Sequence, residues 1–245
     1  MIFFNALFLC LSYNILGNMI SGIVGIFSFA LRKILFLKRC LFCCVKSPFY
    51  GNFTSTSFLL GKIFISNRRN LFMYENTNIY TDSIIMNRKG KFIMKKNSGA
   101  AVGLTVITGN HMSIVGMPFK EVTNEMKTEL DVHCEMDKDI VVEEDVWLGA
   151  RVTLLVGSHI GRGAIVGAGS VVRSYIPPYS IVLGNPAKIV GFRFLPEEII
   201  EHEKELYPEE QRLAYDIVVR NYNKYFRSEE RRVGKECRSR WSPYH

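Results

Sequence analysis

The feature that most constrains this chain is a strict six-residue repeat. From Val142, large aliphatic side chains recur at Leu148, Leu154, Ile160, Val166 and Val172 without a gap. Four residues after each stand Val146, Val152, Ser158, Ala164, Ser170 and Ile176, mostly small or β-branched, while Gly149, Gly161 and Gly167 directly follow three of the aliphatics. A helix repeats near 3.6 residues and a simple strand near 2, so neither accounts for this spacing. A hexapeptide period is the signature of a parallel β-helix. Each hexapeptide forms one short flat face, three faces close a triangular coil, and coils stack at about the 4.8 Å spacing of paired strands. The aliphatic side chain points inward, and the residue four later must be small because it shares that interior near a corner. The glycines are expected to relieve backbone strain at the turns.

Weaker copies lie upstream. Met73, Ile79 and Ile85 keep the step, with Thr77 and Ser83 in the small position; Met94, Ala100 and Val106 resume it, with Ser98. Residues 87–91 (NRKGK) read as a surface turn between them. Between His111 and Asp139 the period fails, leaving a charged, loop-like insertion over residues 112–139. An insertion of that length in a regular prism is more often functional than accidental. After Gly191, Pro196 with Glu197 and Glu198 marks a helix start, with Ile199, Ile200 and Leu206 as its apolar face. Pro208 with Glu209 and Glu210 predicts a second helix reaching about Tyr222. The two are expected to cover the open end of the prism against edge pairing.

The net charge of +8 suggests nucleic acid until it is divided along the chain. Residues 1–74 hold eight basic groups and no acidic one, residues 75–226 hold seventeen basic and twenty acidic, and residues 227–245 hold six and three. The body is slightly acidic, which argues against DNA or RNA as its partner. The terminal string RSEERRVGKECRSRWSPYH resembles a translated sequencing adapter and is set aside from fold reasoning. Residues 1–46 are apolar and then basic, with Ile15–Leu31 at the short limit for a membrane span. Three readings stay open for them: a membrane-associated helix with a basic cytoplasmic flank, an extension from a misplaced start codon, or a buried helix. Cys40, Cys43 and Cys44 lack the second ligand pair that a zinc site wants; reduced cysteines fit a cytoplasmic location.

The run VVEEDVWLGARVTLLVGSHIGRGAIVGAGSVV (141–172), followed by IPPYSIVLGNPAKIVGFRF (176–194), resembles the hexapeptide-repeat acyltransferases. It is most similar to the branch of xenobiotic, maltose and capsular-polysaccharide O-acetyltransferases, and TGNH (108–111) resembles that branch's catalytic histidine motif. The likeness covers about residues 71–226. It implies a mainly β fold, a left-handed parallel β-helix over residues 47–194 with a long loop insertion, and C-terminal helices over 195–226. It further implies a homotrimer that transfers an acetyl group from acetyl-CoA, without a metal, to a hydroxyl of a sugar or glycan in surface or capsular polysaccharide synthesis; the apolar, basic N-terminus is what suggests the inner face of the membrane. An antibiotic or a free sugar is the alternative acceptor.

By the same resemblance His111 is the general base, a role that suits an imidazole titrating near neutrality. Trp147 packs against the pantetheine arm, and Ala150, Ala168 and Ser170 are small enough for that arm to reach backbone. Arg173 and Lys188 lie toward the phosphates, Asn185 and Pro186 in the NPA turn lie toward adenine, and Asn110 and His133 face the acceptor. On the residues alone, His159 and His202 read as surface or structural. A zinc lyase on the same prism would need His111, His133 and His159 to meet, and their spacing does not match such a ligand set.

Overall fold

The computed structural model describes residues 49–225. The N-terminal segment, with Cys40, Cys43 and Cys44, and the string from Arg227 lie outside the described residues. The chain winds as a parallel β-helix in which every third strand returns to the same sheet. Strands β1 (Asn52–Phe53), β4 (Leu71–Met73), β7 (Phe92–Met94), β10 (Ile140–Val142), β13 (His159–Ile160) and β16 (Tyr175–Ile176) form face A. Strands β2 (Phe58–Leu59), β5 (Asn78–Ile79), β8 (Gly99–Ala100), β11 (Trp147–Leu148), β14 (Ile165–Val166) and β17 (Ser180–Leu183) form face B. Strands β3 (Ile63–Ile65), β6 (Ser83–Met86), β9 (Thr105–Ile107), β12 (Thr153–Leu154) and β15 (Val171–Val172) form face C. Pairing is parallel up to β17, whose last neighbour, β18 (Lys188–Phe192), is antiparallel and ends the sheet. Each coil therefore has an A–B, a B–C and a C–A corner, and the C–A corner lies across the prism from face B.

The repeat places like residues on like. Met73, Met94, Val142, Ile160 and Ile176 pair in register on face A, and Ile79, Ala100, Leu148, Val166 and Val182 on face B. All are buried, each aliphatic contributing about 1.5–3 kcal/mol of transfer free energy. The small position is interior too: Thr77, Ser98, Val152, Ser158, Ala164 and Ser170 are almost wholly buried. There hydroxyls serve the backbone, as Ser98 Oγ donates to the Glu143 carbonyl at 2.6 Å and accepts from the Val146 amide at 3.1 Å. This satisfies polar groups that the coil would otherwise strand in its interior. One further coil precedes those seen in the sequence: Phe53, Leu59 and Ile65 keep the step, with Ser57 buried. The turn around Arg68–Asn70 shifts the next repeat by two residues and hides the periodicity.

The glycines act differently from expectation. Left-handed backbone falls three residues after most of the inward residues, at Asn76, Asp82, Asn97, Gly103, Asp145, Arg151, Gly157, Gly163, Gly169 and Tyr179. Gly149, Gly161 and Gly167 are absent from that conformation; they are small because the next coil is too close. A Cβ at Gly149 would meet the Ala168 amide nitrogen at 2.6 Å, and one at Gly161 would meet Pro178 nitrogen at 2.6 Å. Close approach, rather than turn strain, selects those three.

Two further expectations are corrected. The insertion contains a capped helix, α1 (Asn124–Leu130), opened by Thr123 Oγ1 accepting from the Met126 amide. At the C-terminal end, α2 (Pro196–Leu206) forms as expected, but Glu209–Gln211 is only a 3-10 turn and the last helix, α3, begins at Tyr215 and runs to Tyr225. Arg212 stays extended because its guanidinium is held by the Tyr207 and Lys204 carbonyls, and the Leu213 amide donates to Glu203. The helices pack on the last coil and on its closing strand, with Tyr222 against Phe192 of β18, and along one corner below it. Ile199 and Val218 close on Tyr179, and the Arg162 guanidinium lies 4.0 Å from the Tyr207 ring centre, so the pair buttresses the A–B corner.

Glu203 locks that buttress. It is fully buried and accepts from Tyr179 Oη at 2.5 Å, Arg162 Nη1 at 2.8 Å and the Leu213 amide at 3.1 Å. Burial, reinforced by Glu203, pushes the Tyr179 phenol far above its ordinary range. Removing one partner of such a buried set leaves the others unpaired, so Glu203→Ala is expected to lower the unfolding free energy by about 3 kcal/mol. Glu203→Gln, which keeps shape and an acceptor, should lose less; denaturant unfolding of both variants checks this.

Candidate functional site

His111 stands at the C–A corner, where the chain leaves β9 and enters the insertion. The root of that insertion is zipped shut. Lys138 N donates to the Thr108 carbonyl at 3.0 Å, Gly109 bridges Asp137, and Asn110 N donates to the Met136 carbonyl at 2.7 Å. Buried Thr108 anchors the strand end through Oγ1 to the Met86 and Gly90 carbonyls. A Cβ at Gly109 would meet Asp137 Oδ1 at 2.2 Å, so a side chain there would displace that carboxylate. His111 thus projects, exposed, from a fixed backbone, its ring edge-on to Phe119 at 4.9 Å.

Lys127 completes this root and was not singled out by sequence reasoning. Its ammonium, 13% exposed, donates to the Asn110 carbonyl at 2.7 Å and pairs with Asp137 at 2.8 Å. Its signal was weak: a lysine in a charged stretch reads as solvated until α1 turns it inward. Phe119 was equally unmarked.

A second group of candidates lines face B and the B–C corner. Trp147 is 46% exposed on β11, lying over Gly99, where a Cβ would approach its ring to 3.2 Å. Next along the corner come Ala150, half-buried, and Ala168, exposed, with nothing within 4 Å of a Cβ built at Gly169. Asn185 and Pro186, joined by a cis peptide, fold back at the same corner, because Val171 N donates to the Gly184 carbonyl and Ala187 N to the Val171 carbonyl. Lys188 follows them, exposed. An aromatic plate beside a corner almost free of side chains is a cradle for an extended, flexible molecule, and one lysine at its end suits a phosphate.

The remaining candidates separate from this cradle. Ser170 is wholly buried and its Oγ accepts from the Gly184 amide at 3.0 Å. Its side chain therefore shapes the corner from within. Arg173 is exposed beyond β15 at the C–A corner, on the side of His111 rather than of Lys188. His133 is exposed in the turn after α1, and no hydrogen bond or ring contact joins it to His111 among the described residues. In one chain, then, Asn110, His111 and Arg173 share one corner and Trp147, Ala150, Ala168, Asn185, Pro186 and Lys188 share another, with face C between. His159 and His202 are a face A residue and a helix residue against Tyr179 and Phe194. Among the described residues no group of three His, Cys, Asp or Glu side chains is placed to hold a metal, and no helix is long and apolar enough to cross a membrane.

Residues 139–174 match the family model of the bacterial transferase hexapeptide (six repeats). A probable macrolide acetyltransferase of Lysinibacillus sphaericus is 38% identical over 109 residues, which are 44% of this chain and 56% of that protein. A galactoside O-acetyltransferase of Lactococcus lactis is 26% identical over 147 residues, 60% of this chain and 58% of that protein. The chain thus spans little more than half the length of either relative. A hexapeptide-repeat-containing acetyltransferase from Vibrio cholerae, crystallised with acetyl coenzyme A, shares the fold, with a TM-score of 0.51 at 20% identity over 62% of this chain and 76% of that one.

The root of the insertion generates its own test. Lys127→Met removes a charged donor worth roughly 1.5–3 kcal/mol and leaves Asp137 without its nearest cation. Amide hydrogen exchange should quicken across residues 108–112 and 131–138 and stay unchanged in β11 through β15.

Proposed function

We propose that this protein is an acetyl-CoA-dependent O-acetyltransferase that acetylates a sugar hydroxyl, with His111 as general base. The observation that carries the reading is the placement of His111, an exposed imidazole on a clamped backbone at the mouth of a long insertion, whose far end leads into the repeats, residues 139–174, that match the transferase hexapeptide. The small residues of the B–C corner and the plate of Trp147 fit the co-substrate: among the described residues the amides of Ala150 and Ala168 donate to no protein acceptor, so they are available to a bound amide chain.

When bound, acetyl-CoA supplies an acetyl group activated as a thioester. His111 takes the proton of the acceptor hydroxyl as the oxygen's lone pair forms the new ester bond, and returns it to the departing sulfur. A hydroxyl is a poor nucleophile until its proton has somewhere to go, and an imidazole nitrogen can both accept that proton and give it up. Trp147 and the B–C corner hold the donor extended, while Lys188 meets its phosphates. Asn110 and the insertion line the acceptor side.

Because His111 and Trp147 lie at opposite edges of face C, the site is completed by a second copy. Face C itself supports this: Phe64, Ile84 and Met86 point outward at 60%, 44% and 50% exposure, Phe64 and Ile84 in register with half-buried Thr105, Thr153 and Val171. Three copies turning face C inward bring the C–A corner of each against the B–C corner of the next, a closed cyclic trimer. A second reading changes only the acceptor. Val115, Phe119, Leu130 and Val132 are exposed apolar groups on the insertion, which suits an amphipathic small molecule such as an antibiotic.

His111→Ala should cut acetyl transfer by about 10²–10⁴-fold while the assembly persists; full turnover in that variant would remove His111 from the mechanism. Ile84→Glu should give monomers by light scattering and abolish transfer with it. A panel of sugar and antibiotic acceptors separates the two readings.

A further inference from the structure

Face A carries a groove that the reaction above does not use. It has a volume of about 630 Å³, a floor of Ile93 and Val141, and walls that include Tyr74, Lys95, Glu143 and His159. The polar wall is a built chain: His159 Nε2 and Glu143 Oε1 are 2.9 Å apart, and Lys95 Nζ donates to Glu143 Oε2 at 2.6 Å. Burial opposes the charge on Glu143, but the hydrogen bonds and charges of His159 and Lys95 outweigh it and hold the carboxyl at about 2, so it is ionised at neutral pH. Aromatic side chains flank the groove: Tyr74 at 38% exposure and, against the His159 ring at 5.5 Å, Tyr175 at 53%.

The chemistry of the walls selects a ligand. An anion meets Glu143 and Glu144, a cation meets Lys95 and Lys96, and a wholly apolar molecule would strip water from ionised groups at a large cost. A neutral polyhydroxy compound has none of these conflicts, because each hydroxyl both donates and accepts. The carbon face of a sugar ring also suits the Tyr74 and Tyr175 rings and the Val141 floor. From β4 to β13 the groove crosses three coil steps, roughly 14 Å at the spacing of paired strands, which exceeds one sugar ring. We propose that this groove is a second, non-catalytic binding site for a neutral oligosaccharide.

Its purpose rests on the sugar acceptor proposed above. Val141 lies in β10, the strand that follows the insertion directly, while Tyr74, Lys95 and Glu143 follow the face A strands toward the A–B corner, so a glycan held there is tethered across face A from the C–A corner that carries His111. Tethering replaces a bimolecular encounter by an intramolecular one and raises the effective acceptor concentration.

The test is calorimetric titration of the full chain with maltohexaose, with the hexasaccharide of N-acetylglucosamine, and with hexagalacturonate as the charged counterpart. At least one neutral hexasaccharide should bind, and more tightly than hexagalacturonate. Val141→Arg, which fills the floor, and Tyr74→Ala, which removes a wall without adding bulk, should each weaken it by about tenfold or more, with acetyl-CoA binding unchanged. His111→Ala, measured alongside, should keep the hexasaccharide; its turnover reports on the transferase reading alone. Absence of binding by both neutral hexasaccharides, tighter binding of hexagalacturonate, or unaltered affinity in both groove variants would overturn the proposal.

Discussion

Everything in this structure depends on vertical registry in a closed prism. Each interior side chain sits above its own counterpart one coil down, at the fixed spacing of paired strands, so a position too large or too small is felt by both neighbours. That is why Leu148 pairs with Ala100 below and Val166 above, and why the corner residues inside are mostly Ser, Thr, Ala or Val. The same closeness dictates Gly149 and Gly161, whose missing Cβ atoms let adjacent coils touch backbone to backbone. Left-handed residues three positions after most of the aliphatics then turn the chain, as Asp145, Arg151 and Gly157 do at the three corners of one coil.

A rigid column of this kind has little freedom to build a site within itself. Its outward positions alternate along short strands, and its three corners point away from one another. Chemistry therefore gathers where the repeat is broken or where copies meet. The break is the insertion after β9, zipped at its root by Lys138, Asp137 and Met136 and braced by Lys127. The proposed meeting of copies brings the imidazole of one corner to the smooth edge of another. Face A, remote from that seam, keeps a polar groove of its own, and the helices occupy the A–B corner around Glu203.

The boundary between what could and could not be read in advance follows the range of the interactions. Inward residues, small residues and the start of α2 were legible, because each is set by contacts repeated every coil or by the first turn of a helix. The first coil, with Phe53, Leu59 and Ile65, escaped notice because a local turn shifted the period by two residues. The extended stretch before α3 was missed because a long-range bond, Leu213 to Glu203, overrides the helix-starting pattern of Pro208 with Glu209 and Glu210. Size alone does not tell an outward small residue from an inward one, and only the structure shows that the Ser170 side chain is buried.

The amino-acid sequence by itself determined the period, the inward faces and the place of the interruption, since a solenoid repeats one local geometry and so writes it into local spacing. Only the tertiary structure decided that His111 and Trp147 stand at different corners, that Lys127 reaches back to Asn110, and that Lys95, Glu143 and His159 meet across coils. Those groups lie on separate turns, and which of them become neighbours depends on how the chain returns after the insertion, which the repeat does not encode.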